Sequence, residues 1–298
     1  MQLTILGNNS ALPAYGRYPT AQVLEHEGQS FLIDCGEGAQ MRMQQFGVKA
    51  GRIDHVFISH IHGDHYLGLV GFISSQALLS RVRPLHVYCP PEIRDYVLMQ
   101  LPWDPGFPLH FHLRQEGERG VLLETNLIRV SCFPVYHSVP THGFLFETKR
   151  RVRHLLPEAL REHEVPRYFY GRIAQGEDYR SPSGKIIPND WVTAPGPKPK
   201  RYAYSADTRY APEILPDIAG VDLLYHESTY LHEHLDKAEL RLHSTARQAG
   251  EIAAAAGAGR LLLGHFSSKY RLLEPFLHEA AAVFAQSELA LEGTVYKV

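Results

Sequence analysis

The chain has 298 residues, 44% of them apolar and 21% charged, and a formal net charge of −2. That length allows one large or two small domains with a core that needs no crosslinks, and the composition excludes collagen, coiled coil and wholesale disorder. No apolar run reaches the ~18 residues of a membrane span, Met1–Ser10 does not read as a signal peptide, and three scattered cysteines without a Cys-x-x-Cys pair suggest no disulfide framework, so a cytoplasmic protein is expected.

Short β-runs alternate with turns through the first third. Leu3 to Leu6 predicts a strand, and the runs 21–25 and 30–33 flank Glu27-Gly28-Gln29 as a hairpin. Residues 53–58 predict another strand, with a β-branched and aromatic bias. An apolar stripe through Leu67, Val70, Ile73, Ala77 and Leu78 predicts a helix over 66–79. A strand over 85–88 follows, and Pro90-Pro91-Glu92 opens a helix towards Gln100. This alternation indicates a layered α/β domain.

The middle differs. Between Lys149 and Arg201 there are 12 Lys/Arg and six Asp/Glu, so the stretch carries +6 and the remainder −8. It has no sustained apolar period, and reads either as a flexible linker or as an insertion projecting from the core. Tyr168, Phe169, Tyr170 and Tyr179 lie among its arginines, and aromatic and guanidinium groups together stack bases and hold phosphates. Arg167, Tyr168, Arg172 and Lys185 are the candidate RNA contacts. After Arg201 the α/β pattern resumes, with strands over 202–205, 221–225 and 260–263 and an Ala-rich helix over 243–257.

The strongest chemical signal is Ser59-His60-Ile61-His62-Gly63-Asp64-His65, directly after the 53–58 strand. His60 and His62, two apart on extended backbone, point the same way. Gly63 lets the chain turn, and Asp64 and His65 then project in another direction. One pair suits one metal and the second pair its neighbour. Imidazole nitrogen with carboxylate oxygen suits zinc or a similar borderline metal, and two metals ~3.5–4 Å apart clamp an in-line displacement. Further ligands must come from separate strand ends. His137, Asp207 and His265 each follow a strand-like run and are the candidates.

The His-x-His-x-Asp-His segment with spaced His137, Asp207 and His265 resembles the metallo-β-lactamase superfamily. Within it, five stretches resemble the short form of the ribonuclease Z family: Phe31–Gln40, Gly7–Pro13, Tyr225-His226-Glu227-Ser228-Thr229, His243-Ser244-Thr245 and His265-Phe266-Ser267-Ser268. The likeness spans the whole chain. It implies an αββα four-layer sandwich, a single domain over 1–298, with the basic stretch 149–201 as an inserted, protruding, flexible tRNA-binding arm. It implies two Zn2+ per subunit, one held by His60, His62 and His137, the other by Asp64, His65 and His265, with Asp207 bridging. Asp64 would also accept a proton and His243 would donate one, oriented by Glu227. The implied reaction removes 3′ trailers from precursor tRNA, leaving a 3′-hydroxyl on the tRNA and a 5′-phosphate on the trailer, in a homodimer that uses no membrane. A small-molecule metallohydrolase of the same fold would share the ligands but not the need for a +6 insertion. A non-catalytic RNA-binding protein would not need the ligands.

Overall fold

The computed structural model describes residues 1–101, 103–149 and 152–298. It divides into two compact units, Met1–Glu147 with Lys200–Val298, and Thr148–Pro199.

The larger unit contains two seven-stranded sheets. The first is built from β1 (Gln2–Gly7), β2 (Ala21–His26), β3 (Gln29–Cys35), β4 (Ile53–Phe57), β5 (Leu85–Cys89) and β6 (Leu109–Leu113). The second holds β7 (Gly120–Glu124), β8 (Ile128–Val135), β9 (Thr141–Thr148), β10 (Arg201–Tyr204), β11 (Leu223–Glu227), β12 (Leu261–Gly264) and β13 (Ser287–Leu289). The last strand, β14 (Val295–Lys297), returns to the edge of the first sheet beside β1. The sheet orders are β14-β1-β2-β3-β4-β5-β6 and β13-β12-β11-β10-β9-β8-β7. Pairing is antiparallel from β14 to β3 and parallel from β3 to β6; β10 to β13 are parallel too.

Side-chain alternation along the strands explains the layers. On β3, Phe31 and Ile33 join the aromatic core between the sheets, where Phe57, Phe144, Phe146, Tyr202 and Tyr225 also lie. Leu32 faces the other way, and so does Cys35 beyond the irregularity at Asp34 (φ 53°), into a core shared with α1 (Ala39–Gln45), α3 (Leu69–Leu78) and α4 (Pro91–Gln100). The second sheet buries its outer face under α6 (Ala246–Ala256) and α7 (Glu274–Ala281). The result is an αββα sandwich of four layers. With both faces covered, the parallel strands β11 and β12 need the apolar runs Leu223-Leu224-Tyr225 and Leu261-Leu262-Leu263 that they have.

Two helices depart from expectation. The helix expected over 66–79 is split: a single turn, α2 (Gly63–Tyr66), precedes α3, which starts only at Leu69. The break is Gly68, whose amide donates to the Cys35 carbonyl (2.9 Å) and whose missing Cβ would lie 2.3 Å from the Gly36 carbonyl oxygen. This close approach seats the metal-ligand segment against the end of β3. The apolar face shifts accordingly: Leu69, Phe72 and Ile73 are buried, while Leu67 and Leu78 are exposed. The helix expected from His243 begins at Ala246, because Thr245 and Gln248 form a reciprocal capping box. His243 therefore stands outside the helix. All three cysteines are buried and free.

The smaller unit carries its own core of Leu160, Val165, Ile173, Tyr179, Ile187 and Val192. It contains α5 (Pro157–Glu162), shorter helical turns, and two-stranded pairings of His154–Leu155 with Thr193–Ala194 and of Tyr179–Arg180 with Ile186–Ile187. The Asn189 side-chain amide ties it by donating to the carbonyls of Ile173 (2.6 Å) and Glu177 (2.9 Å). This segment is folded rather than a linker. Arg150 and Arg151, counted in the basic stretch, lie outside the described residues.

Candidate metal centre

The strands β4, β8, β10 and β12 deliver their following loops to one place. Beyond β4 the chain stays extended through His62 (φ −74°, ψ 139°) before turning into α2, so His60 and His62 precede the turn and Asp64 and His65 follow it. His60 Nε2 lies 3.0 Å from His62 Nδ1, and His137 Nε2 lies 3.2 Å from the same atom. Asp207 Oδ2 stands 3.8 and 3.9 Å from His60 Nε2 and His137 Nε2. The same oxygen is 3.4 Å from His65 Nε2 and 3.2 Å from His265 Nε2. Asp64 Oδ2 closes the second group at 3.6 Å from His65 Nε2 and 3.4 Å from His265 Nε2. Each ligand set spans less than 4.8 Å.

The other ring nitrogens fix these orientations, as outer partners do around metal-binding histidines. His65 Nδ1 donates to Asp34 Oδ2 (2.7 Å), and Asp34 also accepts from Ser59 N–H, Ser59 Oγ and Tyr204 OH at 2.6–2.8 Å. His137 Nδ1 donates to the Leu242 carbonyl (2.9 Å), and His265 Nδ1 to Thr229 Oγ1 (2.9 Å). The Thr229 hydroxyl in turn donates to Glu227 Oε2 (2.7 Å). The arrangement is held by strained backbone: Ala11, Asp34, Ala206, Leu242 and His265 all have positive φ, a conformation that non-glycine residues adopt at a cost of order 1–3 kcal/mol. Ala11 uses it to donate its amide to Asp64 Oδ2 (2.7 Å).

The electrostatics suit a cation. Burial holds the His60, His62 and His137 imidazoles down, hence neutral and with a lone pair to offer. Burial pushes the Asp64 carboxyl up, but His65 and His265 outweigh it and keep the group well below the carboxylate range. Asp207 is ionised for the same reason, with His265 first among the causes opposing burial. His65 Nε2 and Asp207 Oδ1 are buried without a hydrogen-bond partner. Unsatisfied nitrogens and carboxylate oxygens converging in this way fit a bound metal, and a borderline metal such as zinc matches the donors.

Beside the ligands, His243 Nδ1 lies 2.7 Å from Glu227 Oε1. Burial alone would lower the His243 pKa, but the fully buried Glu227 carboxylate raises it to about 9, so the imidazole is protonated at neutral pH. Glu227 also accepts from the amides of Thr208 and Thr229, both at 3.0 Å. A cavity of about 580 Å³ opens over Asp64, His137, Asp207 and His243, with Arg241 on its wall.

Comparison with known proteins decides the family. The ribonuclease Z of Porphyromonas gingivalis is 42% identical over 291 residues, 97% of this chain and 96% of that one. The chain belongs to the ribonuclease Z family. The ribonuclease Z of Bacteroides fragilis is similar to the same degree, 40% over 98% of this chain and 97% of its own. Membership makes the chain a hydrolase, an endoribonuclease that cuts phosphodiester bonds. Human tRNase Z, short form, superposes with a TM-score of 0.71 at 24% identity, covering 100% and 99% of the two chains. The metallo-beta-lactamase fold protein YhfI from Bacillus subtilis gives 0.71 at 19%, covering 99% and 98%. The fold is therefore that of the metallo-β-lactamases. The family described as anti-Pycsar protein Apyc1 matches residues 1–101.

All seven expected ligands of this ribonuclease Z meet in one cluster, and so do His243 and Glu227. His226 is also buried, yet its Nδ1 is 2.7 Å from the Glu227 carbonyl and it takes no part. Of the expected RNA contacts, Arg167, Tyr168, Arg172 and Lys185 are all exposed. Arg172 is bound to Glu177 (2.5 Å) and stacks 4.5 Å over Phe169. Asp34, Thr229 and Arg241 were not singled out by sequence reasoning. Asp34 had a signal, a carboxylate directly after the apolar run Phe31-Leu32-Ile33, and Thr229 stands in the 225–229 stretch that carries the family likeness; Arg241 had none. No described helix is long and apolar enough to cross a membrane.

Proposed function

We infer that this chain is the endoribonuclease that removes 3′ trailers from precursor tRNA, using two zinc ions per subunit. The observation that carries the reading is Asp207 Oδ2 standing within 3.9 Å of His60 and His137 on one side and of His65 and His265 on the other, with the His243–Glu227 pair beside them. His60, His62 and His137 would hold one ion, Asp64, His65 and His265 the other, and Asp207 both. When bound, the ions supply a water acidified towards pKa ~7 and neutralise charge on the phosphate.

The chain's own residues do the rest. Asp64, fixed by the Ala11 amide, takes the proton of the attacking water. The protonated His243 delivers its Nε2 proton to the leaving 3′ oxygen, so the tRNA keeps a 3′-hydroxyl and the trailer a 5′-phosphate. Glu227 holds the donor tautomer by accepting from Nδ1. Arg241 adds positive charge to the wall that receives the phosphate. The unit over Thr148–Pro199, which takes in most of the basic stretch 149–201, grips the folded tRNA through phosphates and stacking, with Arg167, Tyr168, Arg172 and Lys185 as contacts.

The enzyme acts in the cytoplasm as a homodimer. Exposed Leu78, Leu79, Val82, Leu98, Met99 and Trp103 lie at the ends of α3 and α4 or just beyond, and such apolar exposure suits a subunit contact. Sedimentation as a monomer at micromolar concentration would remove the dimer. The function is tested by incubating zinc-loaded protein with a precursor tRNA bearing a 3′ trailer and mapping both ends. One cut at the trailer junction is expected. Full metal occupancy with intact substrate would leave a small-molecule hydrolase instead.

A further inference from the structure

A second cavity, of about 430 Å³, adjoins the first, and the chemistry above does not use it. His137 and Ser138 line both. Tyr136 and Arg209 are among the residues that line it, with the Tyr136 ring exposed and the Arg209 guanidinium 4.4 Å from its centroid. This stack is fixed from several directions. Arg209 donates through Nη1 to the Tyr210 carbonyl (2.7 Å) and through Nη2 to Glu213 Oε1 (2.8 Å). Its backbone amide donates to the Tyr136 carbonyl (2.9 Å), while the Tyr136 amide donates to Thr208 Oγ1 (3.2 Å). The volume falls in the lower part of the range for small-ligand sites, and an aromatic ring backed by a guanidinium is a surface on which bases stack.

The position identifies which base. Leu242, the neighbour of His243, lines this cavity. His243 serves the leaving 3′ oxygen, and its ring lies 4.8 Å from that of His137, which lines both cavities, so the nucleotide that carries this oxygen is the one within reach of the second. We propose that the Tyr136–Arg209 cavity is a nucleobase subsite for the nucleotide immediately 5′ to the cut, the one the tRNA retains as its new 3′ end. The proposal rests on the endonuclease reading.

The test compares two precursor tRNAs, one unaltered and one with an abasic ribose at that nucleotide. Wild-type enzyme is expected to lose about tenfold in kcat/KM on the abasic substrate, the scale of one base–aromatic stack. Tyr136→Ala should lose a similar factor on the unaltered substrate and nothing further on the abasic one, while Tyr136→Phe should behave as wild type. Equal cleavage of both substrates by wild-type enzyme would overturn the subsite. So would a Tyr136→Ala loss of the same size on both, because the ring would then only support His137. The wild-type comparison stands even if the alanine variant fails to fold. No cleavage of the unaltered substrate would overturn the endonuclease reading as well, and so is distinguishable.

Discussion

At the scale of single residues, the site depends on carboxylates that touch no substrate. Asp34 receives four hydrogen bonds, and the one from His65 Nδ1 leaves Nε2 facing Asp64 and Asp207. Asp34→Asn keeps the volume but places an amide nitrogen or a weaker acceptor against that ring. Zinc affinity or activity should fall about 10–100-fold, measured by chelator competition; an unchanged affinity would mean that Ser59 and Tyr204 suffice to hold the loop. His243→Ala should instead leave zinc content and tRNA binding intact and lower single-turnover cleavage about 10²–10⁴-fold. Wild-type turnover in that variant would move the proton donor elsewhere. These two carboxylates, Asp34 and Glu227, mark the limit of what local spacing encodes. His60 to His65 are legible because four ligand-type side chains crowd into six residues, and His137, Asp207 and His265 because each follows an apolar run. Asp34 reaches His65 only because β3 pairs with β4 in the register Ile33↔Phe57, and no short-range pattern carries that pairing.

At the scale of elements, the parallel edge β4-β5-β6 carries an unusual row of rings. His55 pairs in register with His86, and His86 with His110. Their rings lie 5.2 and 5.0 Å apart, and Phe31 stacks on the other side of His55 at 5.7 Å. Burial first, then the charge of His86, lowers the His55 pKa to about 4. Neutral at pH 7 in both states, His55 costs nothing there. Between about pH 6.5 and 4 the unfolded chain binds a proton that the folded chain refuses, so stability falls on acidification, by roughly 2 kcal/mol at pH 5 from this residue. His55→Phe should lose less in Tm between pH 7 and pH 5 than the wild type does, as followed by circular dichroism; an identical loss would exonerate the row. Histidine content was legible in the sequence, but the row was not, because each member comes from a different strand. The helix boundaries failed for related reasons. Apolar period ran through Gly68, where backbone contact with Gly36 stops it, and Ala-rich propensity ran back to His243, where the Thr245 cap cuts it off.

At the scale of the whole molecule, the net charge of −2 conceals a basic insertion set in an acidic remainder. Six core residues of the insertion, from Leu160 to Val192, are spaced irregularly, which hid its fold from periodicity while its composition was plain. Replacing residues 149–199 by a two-residue Asn-Gly turn should weaken precursor-tRNA binding at least tenfold and steepen neither its salt dependence nor its loss on heating. Hydrolysis of bis(p-nitrophenyl) phosphate should persist. Equal loss of both activities would make the insertion a structural part of the catalytic unit. Such a replacement is geometrically simple because β9 and β10 are antiparallel neighbours, with Glu147 opposite Arg201. The whole basic unit therefore occupies the place of a hairpin turn. Turns are where chains gain and lose sequence most freely. If the insertion grips RNA as proposed, a lineage with this architecture can exchange the RNAs it captures by rewriting one loop, while the metal-site histidines are inherited unchanged.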